Sequence, residues 1–516
     1  MARYIKAHAD LRGTDPALID ERGKTSWKEL NSRVNQLIAA FSANGIHQGD
    51  TIAIFAGNCR EYFELLTAAT HAGIIYVPVN WHFTAKELAY VIDDAGCKQL
   101  FIEGQFIEHA TQLQNIQCIS IRQSMEGPIP GFIDYEHYLG EHSSDEPSVE
   151  YLGASMFYTS GTTGKPKGVK TITNGEPVPI EILPMIAEGM TAMLTIQASG
   201  TTLLCGPIYH SGQWAFSFPA LIIGSTVVIR HKFDPAETLQ LIDEHQVTNV
   251  HMVPTQFHRL LDLSDSIRHT FSGNSLDAVW HGAAPCGPEV KQQMIDWWGP
   301  VINEYYGSTE GSIVAISSTQ DWLDKPGTMG KPTPTVEIKI IDDNGNEVAQ
   351  GDTGDIYVRN LTGSEFEYHN EPEKTQAAHL APGLFTFGDI GYLDEDGYLF
   401  LSDRKIDMII SGGVNIYPAE IETALSTHPA VYDVAVFGIP NKEYGEEVKA
   451  AICLMPGHDE NETLTNDLIA HCRNLLAGYK APKSIDYLDV MPRHETGKLY
   501  KRLLKDPYWQ GSNRKI

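Results

Sequence analysis

Residues 158–168 read Tyr-Thr-Ser-Gly-Thr-Thr-Gly-Lys-Pro-Lys-Gly, a run ill suited to a packed helix or strand and well suited to holding an anion. Gly161, Gly164 and Gly168 allow positive φ and close backbone approach. Thr159, Ser160, Thr162 and Thr163 offer hydroxyls, and Lys165 and Lys167 offer charge. A polyphosphate needs that inventory. In a Walker A loop the lysine is followed by the Ser or Thr that binds magnesium and starts a helix; here Pro166 follows Lys165, which argues against a P-loop NTPase. The competing reading of such a run is a surface turn between strands.

Six further stretches follow: Gly282-Ala283-Ala284-Pro285; Asn-Glu-Tyr-Tyr-Gly-Ser-Thr-Glu-Gly at 303–311; Gly388-Asp389; Asp403-Arg404-Lys405; Ser-Gly-Gly-Val-Asn-Ile-Tyr-Pro-Ala-Glu at 411–420; and Gly497-Lys498. With the phosphate loop, their order and spacing resemble the AMP-forming acyl-CoA synthetases of the adenylate-forming superfamily, which also contains luciferases and peptide-synthetase adenylation domains. The resemblance covers nearly the whole chain. It implies co-substrates ATP, Mg²⁺ and CoA and a first step in which AMP is attached to a carboxylic acid, replacing a poor leaving group by a good one.

The same resemblance assigns roles. Thr159 and Glu310 would hold Mg²⁺ as hard oxygen ligands, and the loop from Ser160 to Lys167 would cradle phosphates. Gly282, Ala283 and Ala284, lacking bulk, would let the base lie against backbone. Tyr306 would stack on adenine, with Tyr305, Gly307 and Ser308 beside it, and Thr309 would bond the α-phosphate. Asp389 would take the ribose hydroxyls, although Phe387 stands where the family has threonine, and Arg404 would also reach the ribose, with a surface salt bridge as its plainer reading. Lys498 would be delivered to the α-phosphate and the attacking carboxylate. His210 would gate the junction of acyl pocket and pantetheine tunnel, or else be a core histidine. Tyr209, Trp214, Phe216 and Phe218 would line the acid's tail or be ordinary core. Ser411, Gly412 and Gly413 would line the CoA tunnel, and Ile406, two residues past the motif arginine, would be the hinge.

Around these residues the hydrophobic pattern predicts three βαβ units: strands at 51–55 and 74–79 flanking a helix at 61–71, strands at 225–229 and 247–253 flanking a helix capped by Asp234, and strands at 276–280 and 301–305 flanking a helix at 288–298. Two motifs then fall just after strands, where open α/β sheets bind ligands. Residues 330–403 change to short strands and tight turns, a β-rich subdomain. Asp342, Asn344 and Asn346 resemble a calcium loop, but Glu347 stands where glycine is required, so a hairpin turn is expected. The expected fold is α/β: a large layered N-terminal domain over 1–403, containing that β-rich part, and a small mobile α+β domain over 404–516 carrying Lys498.

Length agrees, since 516 residues exceed the ~250–300 that one core supports. The 66 acidic against 38 basic residues, net −28, argue against nucleic-acid partners. Seven cysteines without a CxxC pair predict a reducing compartment, the cytoplasm, and no zinc site. Neither a signal peptide nor a run of ~18 apolar residues is expected. The expected partners are the carboxylic acid, ATP and CoA, with a homodimer allowed. The acid is expected to be fatty or otherwise bulky and apolar, with aryl and short-chain acids open. The rivals are an adenylation enzyme loading a carrier protein, disfavoured by the lack of an acidic residue between 207 and 220, a luciferase-like oxygenase, and a noncatalytic nucleotide-binding regulator.

Overall fold

Thr51–Phe55 is buried at every position and pairs in parallel with Ile75–Pro78 on one side and Cys97–Glu103 on the other. The computed structural model describes residues 4–110, 113, 116–121, 131–148, 151–160, 166–172, 178–404, 407–411, 414–441, 444–493 and 499–509. The helix Arg60–His71 follows the first strand and is buried from Glu61 to His71, because it lies between two sheets. Its Phe63 and Leu66 share a core with Ile52 and Ile54 of one sheet and Leu204, Val227 and Ile229 of the other. A helix enclosed in this way must satisfy its polar groups internally. Glu64 does so by accepting from Arg33 Nε at 2.7 Å and from the Tyr135 hydroxyl at 2.8 Å.

The second sheet runs, all parallel, Pro16–Asp20, Thr226–Ile229, Thr201–Leu204, Asn249–Met252, Ala278–His281, Ile302–Ser308. The three expected βαβ units are therefore divided between two sheets. In the second unit Thr201–Leu204 lies between the two expected strands and pairs with each, so the helix Pro235–Glu244 crosses over a strand that the hydrophobic pattern did not single out. That helix opens as its sequence requires, the Asp234 carboxylate accepting the Glu237 amide at 2.8 Å.

Ser312–Ser317 turns back antiparallel to Ile302–Ser308, and the sheet continues through Thr328–Pro332, Leu399–Arg404, Leu384–Leu393, Gly354–Asn360 and Val336–Ile341. Apart from Glu365–Tyr368, the β-rich segment is thus an extension of the second sheet. Its expected turn is present: Asp342 Oδ1 accepts the Asn344 and Asn346 amides at 2.9 and 2.8 Å, and Gly345 takes φ +83°.

From residue 407 on, a separate five-stranded sheet is built on the hairpin Val431–Asn441 and Gly445–Leu454. The helices Pro418–Ser426 and Glu462–Leu475 cover it through Ile421, Leu425 and Leu468. A large and a small domain, mixed α/β, are what the sequence led one to expect. No described helix is long and apolar enough to cross a membrane.

Candidate active site

The phosphate-loop residues form a hairpin. Phe157–Ser160 and Pro166–Ile172 pair antiparallel with Thr159 opposite Lys167, and the tip, Gly161, Thr162, Thr163, Gly164 and Lys165, lies outside the described residues. Ser160 is placed by its backbone alone. Two contacts brace the hairpin. The Tyr158 hydroxyl donates to Asp94 at 2.6 Å, and Gly168 packs so closely that a Cβ there would stand 3.1–3.2 Å from Tyr158, His369 and Met156. A third strand, Glu365–Tyr368 from the β-rich segment, adds to the hairpin with Tyr368 opposite Val169. The Lys167 ammonium lies 4.6 Å from the Tyr368 ring centre, and the Tyr368 hydroxyl donates to Glu310 Oε1 at 2.9 Å. Burial first, and then the Lys374 charge, lower the Lys167 amine below its usual value, with Glu310 and Glu371 opposing. Burial and the Glu310 carboxylate raise the Tyr368 phenol.

The strand Ile302–Ser308 runs three residues beyond its expected end, so Tyr306, Gly307 and Ser308 are its last residues and Thr309 and Glu310 begin the turn. Ser308 shapes that turn, its hydroxyl accepting the amides of Glu310 and Gly311 at 3.1 Å each. Gly307 is forced, since a Cβ there would meet the Ser312 carbonyl at 2.0 Å. Alternation along the strand separates the two tyrosines. The Tyr306 hydroxyl donates to Asp389 at 2.7 Å, both residues being buried. The adenine-stacking candidate and the ribose candidate are thereby fixed to one another. Arg404, described by its backbone only, pairs with Asp389 in the adjacent strand.

Tyr305 points the other way. Its hydroxyl lies 3.0 Å from His251 Nε2 and its ring 5.2 Å from Phe216; burial raises its phenol and pushes His251 down to about 3, leaving that imidazole neutral. The Tyr305 side chain therefore lies on the opposite side of the strand from that of Tyr306, its ring behind the 306–310 motif. There it fills the space beside Gly282, where a Cβ would come 2.6 Å from the Tyr305 ring. Ala283 follows with φ +64°, a left-handed conformation uncommon for alanine and frequent at ligand sites. Ala284 completes the turn before Pro285.

His210 occupies the position before the helix Ser211–Ile223, its ring 4.3 Å from Tyr209. Ser211 joins this helix to the phosphate motif, its hydroxyl 2.9 Å from that of Thr309. On the stripe that Ser211 begins, Trp214 lies 5.9 Å from Phe157 at the base of the phosphate hairpin and 5.7 Å from Phe218. Phe216, two residues from each and on the opposite stripe, stacks at 4.7 Å on His251. Phe216 and Phe218 are both core residues. Tyr368, Ser211 and His251 were not singled out from sequence. Ser211 had a signal, the first helical position after His210; Tyr368 and His251 acquire their place only through strand pairing.

In the small domain Lys498 belongs to residues 494–498, outside the described residues, as do Ile406, Gly412 and Gly413. Their flanks are placed. Arg493 and Leu499 bridge across the lysine segment, and Arg493 donates twice to Asp433 at 2.7 Å. Ser411 pairs with Val414 and Gly445.

For a divalent cation, Glu310 has one carboxylate oxygen engaged by Tyr368, and Thr159 stands on the hairpin that Tyr368 joins. One carboxylate and one hydroxyl suit Mg²⁺, which keeps waters and phosphate oxygens for its remaining positions.

Two family models match the chain: that of the AMP-binding enzymes over residues 5–363 and that of their C-terminal domain over residues 420–498. The chain belongs to the AMP-binding enzymes. Within that family it is an AMP-forming acyl-CoA ligase, using ATP, Mg²⁺ and CoA. It is 31% identical to the medium/long-chain-fatty-acid–CoA ligase FadD8 of Mycobacterium tuberculosis, over 95% of this chain and 86% of the relative. With the fatty acid–[acyl-carrier-protein] ligase ScoC of Streptomyces coeruleorubidus it shares 28% over 99% and 96%. It superposes on ATP-bound MatB from Rhodopseudomonas palustris with a TM-score of 0.85 at 26% identity, covering 98% and 99% of the two chains, and on the apo form of MatB with 0.75.

Proposed function

We propose that this enzyme activates a fatty or other bulky apolar carboxylic acid and transfers it to CoA in the cytoplasm. The observation that carries the reading is the contact between Ser211 and Thr309. It sets the start of an apolar helix, with Trp214 and Phe218 along one stripe, against the residue assigned to the α-phosphate. A carboxylate at Thr309 then has an aromatic wall for its tail.

In the first half-reaction a carboxylate oxygen attacks the α-phosphorus of ATP and pyrophosphate leaves. Thr159 and Glu310 would hold Mg²⁺, which would supply charge neutralisation on the phosphates. Thr309 donates to the α-phosphate, Tyr306 and Asp389 orient the nucleoside as a linked pair, and Lys498 meets the charge building on the transferring group. In the second, the CoA thiol, entering by way of Ser411, Gly412 and Gly413 and past His210, loses its proton and attacks the acyl carbon, and AMP leaves. Arg404 would reach the ribose as the first residue of the small domain, the boundary falling between 403 and 404. All seven cysteines are free, which supports a reducing compartment. A homodimer is checked by sedimentation velocity.

A panel of acetate, octanoate, palmitate, benzoate and a steroid side-chain acid, assayed for CoA-dependent AMP release, tests the reading. At about 0.8 kcal/mol per buried methylene, octanoate should exceed acetate by at least about a hundredfold in kcat/KM. Equal use of acetate would overturn the apolar-acid assignment. AMP release that needs a carrier protein in place of CoA would favour the activity named for ScoC.

A further inference from the structure

We propose that Tyr368 is the positioning residue for the metal-binding carboxylate, holding Glu310 in the orientation that receives the divalent cation of the ATP complex. This rests on the reading of Glu310 as a magnesium ligand. Glu310 sits in the turn after Ile302–Ser308, and Ser308 already fixes its backbone amide. Its side chain is held from elsewhere: the Tyr368 hydroxyl donates to Oε1 at 2.9 Å. A phenol on one oxygen defines the direction in which the other faces, and outer partners of this kind commonly orient metal ligands.

Tyr368 is itself held on several sides. Its strand pairs with the phosphate hairpin, Tyr368 opposite Val169 and Glu367 opposite Lys170. Its backbone amide donates to Thr375 Oγ1 at 2.9 Å. Phe366 meets its ring edge-on at 5.1 Å, and the Lys167 ammonium lies over the ring at 4.6 Å. Lys167 and Tyr368 are diagonal neighbours on one face of the sheet, since Lys167 is two residues before Val169. The ring that orients the metal ligand is therefore clamped by a lysine of the phosphate loop. A shift of the hairpin on binding ATP would move the lysine and the carboxylate's donor together. The ligand this arrangement reads is a divalent-cation–nucleoside-triphosphate complex, in which the cation and the phosphates must arrive in one geometry.

The test uses the full chain and a nonhydrolysable α,β-methylene ATP, measured by titration calorimetry with and without Mg²⁺. In the wild type Mg²⁺ should tighten binding. Tyr368→Phe should lose about tenfold of that tightening, the scale of outer-partner substitutions at metal sites, with metal-free binding little changed. Electron paramagnetic resonance of Mn²⁺ in the ternary complex should broaden in the variant as the ligand geometry loosens. Thioester formation from supplied acyl-AMP and CoA reads whether the fold is intact, because no pyrophosphate-bound metal takes part in it. Glu310→Gln separates the two claims. If it retains the Mg²⁺ effect, Glu310 is not the ligand and the underlying reading fails. If it abolishes the effect while Tyr368→Phe keeps it in full, the positioning role of Tyr368 is wrong. If Tyr368→Phe lowers metal-free binding and thioester formation as much as the Mg²⁺ effect, the tyrosine is a packing residue only, and the proposal is likewise overturned.

Discussion

Adenylation develops charge at one place, between the attacking carboxylate and the α-phosphate, and single side chains decide its cost. A cation about 4 Å from that charge is worth roughly 4 kcal/mol at an effective dielectric near 20, or about three orders of magnitude in rate. Lys498→Ala should lose pyrophosphate release by that order while still converting supplied acyl-AMP and CoA to thioester. Near-normal pyrophosphate release would remove Lys498 from the mechanism. Residue type is restricted by a neighbour at several of the candidate positions: glycine at 282 against the Tyr305 ring, glycine at 307 against the Ser312 carbonyl, and a carboxylate at 389 beside the Tyr306 hydroxyl. Tyr305 and Tyr306, adjacent in one strand, face opposite sides, so each meets its own set of neighbours. Tyr368 was missed because nothing in Glu-Phe-Glu-Tyr announces that its strand will lie beside the phosphate hairpin.

Among the elements, strands and helices were legible singly and their pairing was not. Apolar runs and caps placed Thr51–Phe55, Pro235–Glu244 and Pro288–Trp298 closely. The insertion of Thr201–Leu204 between two strands of one expected unit depends on contacts distant in sequence, which local pattern does not carry. One such junction makes a prediction. Asp20 ends the strand Pro16–Asp20 and meets Arg60 at the start of the buried helix and Arg22 in the adjoining turn. Burial alone would raise its carboxyl; the Arg60 hydrogen bond, the Arg22 amide and both guanidinium charges outweigh that and hold it at about 2, against 3.8 ordinarily. A carboxyl depressed in the folded state stabilises fully above the unfolded value, and that stabilisation is lost as pH falls towards the folded one. The shift corresponds to at most about 2.5 kcal/mol. Asp20→Asn should therefore be less stable than wild type by up to that amount at pH 7, and the gap should close between about pH 4 and pH 2. Urea melts at stepped pH measure it; a gap that stays constant down to pH 2 would mean that the charge is not what binds the strand to the helix.

At the scale of the whole molecule, the proposed function asks one small domain to serve two reactions. The Tyr432 hydroxyl reaches Asp262 of the large domain at 3.3 Å, the His258 ring lies 6.1 Å from Tyr432, and the helix Pro418–Ser426 packs on the strand Leu399–Arg404. Ile410, Val414 and Tyr444 of the small domain are exposed. Rotation needs a large backbone dihedral change within one or two residues, and the swivel proposed here is Ile406, just past the end of Leu399–Arg404. A β-branched side chain stiffens that position without preventing the change; proline would fix φ near about −65° and prevent it. Ile406→Pro should then leave pyrophosphate release within a few-fold of wild type while thioester formation from supplied acyl-AMP falls by at least about tenfold more. The two assays must be run separately, since a coupled assay would report only the slower step. Equal losses in both half-reactions, with circular dichroism unchanged, would place the swivel at Lys405 or Asp407 or show that the small domain stays where it is. Loss of pyrophosphate release with thioester formation preserved would instead mean that proline holds the domain in the orientation for CoA.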